Sequence, residues 1–120
     1  MTSLPIKDRN WLAQEMLDQK MFWSYAVKSP GQIPDPLLIE TVLLFGDIPH
    51  LNALFKVFTK DTIQSIWENQ ILIREPRYHD LNVFLGWLYF KIAHPEKYIR
   101  HIFSQNNPYE RLKREYQTSL

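Results

Sequence analysis

The sequence predicts an all-α fold: a compact single-domain bundle of about five to six short helices. Three observations predict it. Helix starts are spelled out by capping residues and prolines, as in Asp35-Pro36 and Asp47-Ile48-Pro49. Apolar residues recur at i, i+3, i+4 and i+7, most clearly in Leu81, Phe84, Leu85, Leu88 and Ile92. Strand signals are nearly absent. Around these sits Pro34–Trp67, the stretch on which the rest of the chain is expected to pack.

Residues 1–7 contain Pro5 and no periodicity and read as a loose N-terminal arm. Asp8 or Asn10 caps a first helix expected to run to about Phe22, with Trp11, Leu12 and Met16 inward. Phe22, Trp23 and Tyr25 then crowd three aromatics into four positions, which reads as an extended or irregular segment across the core. Ser29-Pro30-Gly31 marks a turn, and Ile33-Pro34 keeps the chain extended. Asp35 followed by Pro36 is the strongest helix start in the chain. The helix it opens, Leu37 to Phe45, is polar only at Glu40 and Thr41, so it is expected to be contacted from several directions.

Gly46 ends that helix and Asp47 caps the next, whose Pro49 falls in the first turn, where no intrahelical donor is lost. Ile48, Leu51, Leu54, Phe55 and Phe58 form its apolar face. Thr59 caps a third helix carrying Ile63, Ile66 and Trp67. Ile71–Ile73 either extends it or forms a short strand, and Glu75-Pro76 ends either one. A long helix is expected from His79 to Ile92, with Val83, Trp87 and Phe90 as a second buried stripe. Gly86 in its interior costs about 1 kcal/mol relative to Ala, which the close approach of a helix or a ring would explain. Pro95 opens a further helix with Tyr98, Ile99, Ile102 and Phe103 inward, and residues 106–120 form a tail or short last helix. The expected core is Leu38, Val42, Phe45, Leu54, Phe55, Ile66, Trp67, Leu85 and Leu88.

At 120 residues the chain has the size of one domain, and 17 aromatics give it ample material for a core. A net charge of +1 predicts no strong steering toward nucleic acid or anionic membrane. The charge is unevenly spread: residues 1–90 hold eight Lys/Arg against ten Asp/Glu, and residues 91–120 hold six against three. With no cysteine there is no disulfide and no thiolate metal site. The N-terminus lacks the apolar run of a signal peptide, no stretch is long enough to span a bilayer, and the expected setting is cytoplasmic.

Catalytic signatures are missing. Gly31, Gly46 and Gly86 are isolated, so no phosphate-cradling loop is present. His50, His79, His94 and His101 lack zinc-site spacing and read as helix-end or solvent-facing residues. No enzyme activity, cofactor or metal is expected. Ile48–Asn69 has the outline of a helix-turn-helix, with Lys60, Thr62, Gln64, Ser65 and Asn69 toward a major groove. Asp61 and Glu68 would then meet phosphates, which favours an ordinary helical corner. The basic residues Lys97, Arg100 and Arg111, together with Tyr25 in the aromatic segment, are the candidate partner-binding residues, suited to an acidic patch on another protein.

At FWSY (22–25), IPDPLLIETVLLFGDI (33–48), LFKVFTKDTIQSIWE (54–68) and LNVFLGWLYFKIAHPEKYI (81–99) the chain resembles a family of short bacterial helical proteins. Members are often encoded beside a nucleotidyltransferase-like toxin of the abortive-infection type. The shared motifs are apolar helix signatures, and the arm and the tail after Gln105 lie outside them. The resemblance implies an antitoxin-like partner of such a toxin and supplies no catalytic residues. The expected function is a non-enzymatic protein-interaction module; the alternative is a DNA-binding regulator using Ile48–Asn69.

Overall fold

A computed structural model of the chain describes residues 8–19 and 29–106, with Leu112 and Tyr116 beyond them. Among these residues the fold is all-α, with no strand. Its contacts group into two compact units, Met1–Ile63 and Gln64–Leu120.

The first unit is a layer of α1 (Arg9–Asp18), a 3-10 turn (Pro30–Gln32), α2 (Asp35–Phe45) and α3 (Ile48–Val57), in which α1, α2 and α3 all touch one another. Asp8 caps α1, its carboxylate accepting from the Trp11 N–H at 2.9 Å. The helix stops at Asp18, short of the expected Phe22, because the Gln19 backbone leaves the helical range while its N–H still bonds the Glu15 carbonyl. Phe22 lies outside the described residues. Leu12, Ala13 and Met16 of α1, Leu38, Ile39 and Val42 of α2 and Leu51 and Leu54 of α3 are buried where these helices touch, in a largely aliphatic core. Thr41 tolerates this core because its hydroxyl donates back to the Leu37 carbonyl at 2.8 Å.

Two expectations about α2 are corrected. The cap position falls on Pro34, and the Asp35 carboxylate instead takes the Arg9 Nε at 2.5 Å. The Arg9 guanidinium also donates to the carbonyls of Pro30 and Ile33, so one side chain ties the start of α1 to the entry of α2. Phe45, expected in the core, is 51% exposed: it occupies the last turn of α2, where the chain departs for α3. Ile48, the first residue of α3, is also exposed. Gly46 does end α2, and a Cβ there would lie 2.7 Å from the Val42 carbonyl oxygen, a contact only glycine avoids. Phe55 is half-buried rather than buried.

The units divide inside α4 (Lys60–Ile66), whose cap is Thr59: its hydroxyl accepts the Thr62 N–H at 3.2 Å. The second unit continues α4 as a wide π turn (Trp67–Ile71) and a 3-10 turn (Leu72–Arg74), so Ile71–Ile73 extends the helix and forms no strand. Trp67, Ile71 and Leu72 are buried together, while Ile66 and Leu88 are only half-buried. Next come α5 (His79–Leu88) and α6 (Pro95–Asn106), packed on each other, with α6 also against both turns.

Helix α5 is four residues shorter than its periodicity suggests. The Phe90 N–H reaches back to the Leu85 carbonyl and the Ile92 N–H to Gly86, while Lys91 takes a left-handed backbone with φ 56°. This reversal places the Phe90 ring face to face with Trp67, centroids 4.5 Å apart. Tyr98 of α6 lies parallel to Trp67 at 6.2 Å. Gly86 is explained by the same ring: a Cβ there would sit 3.3 Å from both the Trp67 indole and Pro95. The expected second stripe does not hold, because Trp87 points outward and is 63% exposed.

A candidate interaction surface around His79 and helix α6

The second unit is threaded by a chain of polar groups that begins in its core and ends at its surface. Trp67 is fully buried, and its indole N–H cannot stay unpaired there without a cost of about 1–3 kcal/mol. Asn82, equally buried one turn into α5, supplies the acceptor at 3.0 Å. The Asn82 amide then donates to Glu75 Oε1 at 2.7 Å. The other oxygen of Glu75 accepts from His79 Nδ1 at 3.0 Å, and His79 Nε2 faces Glu96 Oε1 at 3.6 Å across the start of α6. Among the described residues, no buried side-chain polar atom lacks a partner.

Burial grades along this chain set its electrostatics. The Glu75 side chain is 9% exposed, so its charge is held by two donors rather than by water. His79 is 40% exposed, and its pKa is raised above the usual histidine value. The hydrogen bond to Glu75 is the largest cause; burial opposes it, and the charges of Glu75 and Glu96 add to the rise. Tyr98 belongs to a smaller network: its hydroxyl donates to Glu68 at 2.8 Å and accepts from Gln64 at 3.1 Å. Its pKa is raised, first by burial and then by the bond to Glu68.

Beside His79 lies an open cleft of about 370 Å³. Pro76, Ile99 and Phe103 give it an apolar floor, and Glu75, His79, Glu96 and Arg100 line its polar side. A second concavity of about 430 Å³, lined by His94, Pro95 and Lys97 among others, shares Glu96 and Arg100 with it. The groups this lining offers are two carboxylates, an imidazole and a guanidinium beside apolar side chains. Among the described residues, no group of three or more His, Asp or Glu is arranged to hold a metal ion. No described helix is long and apolar enough to cross a membrane.

Of the residues singled out from the sequence, Lys97 and Arg100 stand exposed on α6, and neither has an acidic partner among the described residues. Tyr25 and Arg111 lie outside the described residues. The groove-reading set is divided. Lys60, Thr62 and Ser65 are exposed, but Thr62 is engaged with Thr59, and Asn69 folds back onto the Ser65 carbonyl and hydroxyl. Gln64 is turned toward Tyr98, and Asn69 falls in the π turn rather than on α4.

His50 and His79 carry structure that the sequence reading passed over. His50 Nδ1 accepts the Asp47 N–H at 2.9 Å, completing the capping of α3, which leaves its proton on Nε2 toward Glu15 of α1 at 3.3 Å. Trp11 lies over its ring at 5.6 Å. The Glu75–His79 pair had one sequence signal, a Glu four residues before a His across a proline.

No family model matches the chain, and no curated protein or solved structure does.

Proposed function

We propose that the chain is a non-enzymatic protein-interaction module of the cytoplasm, an antitoxin-like partner of a nucleotidyltransferase-type toxin that it neutralises by direct binding. The observation that carries this reading is Trp87, an indole in the middle of α5 that is 63% exposed where the helical periodicity calls for burial. Exposed Trp is uncommon on a settled surface, and Trp is among the residues most enriched at the centres of binding interfaces. Lys97 and Arg100, without acidic partners in the described chain, add a polar contact area of matching kind.

The test is a calorimetric titration of the chain against the product of the neighbouring gene, with a parallel titration against duplex DNA. A saturable one-to-one complex with the protein, and only weak DNA binding near physiological salt, is the expected result. Nanomolar DNA binding with a steep salt slope would replace this reading by the regulator using Lys60, Thr62, Gln64, Ser65 and Asn69.

A further inference from the structure

Glu96 and Arg100 sit four residues apart on α6, the spacing at which a Glu and a following Arg ordinarily pair. Here they do not pair. Glu96 is drawn to His79 at 3.6 Å, and among the described residues no other acid meets Arg100. Glu75, the other carboxylate of the cleft, is engaged by Asn82 and His79. The cleft therefore presents one guanidinium without an acidic partner beside an apolar floor of Pro76, Ile99 and Phe103.

We propose that this cleft receives an acidic–apolar segment of a protein partner: a large apolar side chain on the floor, with the carboxylate of an adjacent Asp or Glu on Arg100. The inference rests on the interaction-module reading and names the chemistry of the partner. A guanidinium offers a planar fork that fits a carboxylate with two parallel hydrogen bonds. The acidic component follows from charge: Arg100 and Lys97 line the outer concavity together, and Glu96 is the acid that shares it. The choice of a segment over a small molecule follows from shape. The cleft is open and runs into the second concavity through Glu96 and Arg100, so it forms a track along α6. His79 acts as a positioning residue, keeping Glu96 from closing onto Arg100.

The experiment is an NMR titration of the folded chain with acetyl-Phe-Glu-amide, acetyl-Phe-Gln-amide and N-acetylphenylalanine. Shifts are followed at Ile99, Arg100 and Phe103. The acidic peptide is expected to bind saturably and at least tenfold more tightly than its Gln counterpart. Arg100→Gln removes that preference, and Phe103→Ala weakens both peptides. His79→Gln, which frees Glu96 to pair with Arg100, also lowers affinity for the acidic peptide, whereas Glu96→Gln in the same background restores it. Equal binding of the two peptides, or a preference that survives Arg100→Gln, overturns the proposal. Tighter binding of N-acetylphenylalanine than of the acidic peptide overturns it in favour of a small amphipathic acid. A chain that binds its toxin but shows no peptide preference loses this site and keeps the interaction reading; the converse result keeps the site and removes the toxin.

Discussion

The two units solve the same problem, burying a helical core, by different means. The first buries aliphatic side chains of three short helices and satisfies its polar groups locally, by Asp8, the Asp47–His50 pair, the Arg9 clamp on Asp35 and the Thr41 hydroxyl on its own helix. The second has a tryptophan at its centre, and the indole N–H is met by Asn82, from which a run of polar partners leads out to solvent through Glu75 and His79. A core of hydrocarbon can end at its own surface. A buried donor needs one acceptor, and because the acceptor here is Asn82, whose own amide needs a partner in turn, the run continues through Glu75 and surfaces beside the cleft on α6.

Truncating the centre of the second unit should break this contrast most forcefully. Trp67→Ala removes the ring that stacks on Phe90 and touches Gly86, and strands the Asn82 carbonyl. A loss of about 3–5 kcal/mol is expected in denaturant unfolding, against about 2–5 kcal/mol for Leu54→Ala in the first unit. Equal and small losses would show that neither residue is central.

Polar deletions sharpen the difference. Asn82→Leu leaves the Trp67 N–H and one Glu75 oxygen without partners and should cost about 1–3 kcal/mol or more. Thr41→Val in the first unit should stay within about 1 kcal/mol, because the part-buried hydroxyl bonds the Leu37 carbonyl on its own helix. A reversed order would contradict this account.

Glycine substitutions make a smaller test. Gly46→Ala should destabilise by about 1–3 kcal/mol, since the new methyl would press on the Val42 carbonyl, which is backbone and cannot swing aside. Gly86→Ala gains about 1 kcal/mol of helix propensity and loses a similar amount against the immobile Trp67 ring, so its net change should be the smaller of the two.

The first unit was the more legible of the two in the sequence, because its devices are local. Asp8, Gly46, Asp47 and Thr59 act on backbone groups within a few residues, and their positions follow from chemistry visible in a short window. The misplaced residues there, Phe45 and Ile48, sit at helix ends, where periodicity says which face is apolar but not whether a neighbour extends far enough to cover it. In the second unit the governing contacts join residues 15 and 23 positions apart, Trp67 to Asn82 and to Phe90. The π turn and the left-handed Lys91 that serve those contacts leave no local signature. Exposed Trp87 looked like core because a tryptophan at helical spacing has the same sequence pattern whether a neighbour or a partner covers it. The exposure of Lys97 and Arg100 follows from charge at helical spacing, which a short window shows, whereas the pairing of Glu75 with His79 depends on the turn at Pro76 that brings them together.

The smallest expected effect is one of pH. His79 has a raised folded-state pKa, so its pairing with Glu75 and Glu96 stabilises the fold fully below the unfolded histidine pKa, and that contribution is lost as pH rises through the folded value. Stability measured across this range should fall with rising pH, and His79→Gln should flatten the slope. An unchanged slope in the variant would detach His79 from the stability of the second unit.

The most direct test of the central claim, that exposed Trp87 of the second unit belongs to an interface, compares exposed aromatics in the two units. Trp87→Ala and Phe45→Ala would each be titrated calorimetrically against the neighbouring gene's product, with circular dichroism confirming the fold. Trp87→Ala is expected to weaken the complex by about 2 kcal/mol or more, roughly thirtyfold, while Phe45→Ala leaves it within about twofold. Wild-type affinity in folded Trp87→Ala, or a larger loss from Phe45→Ala, would contradict the account.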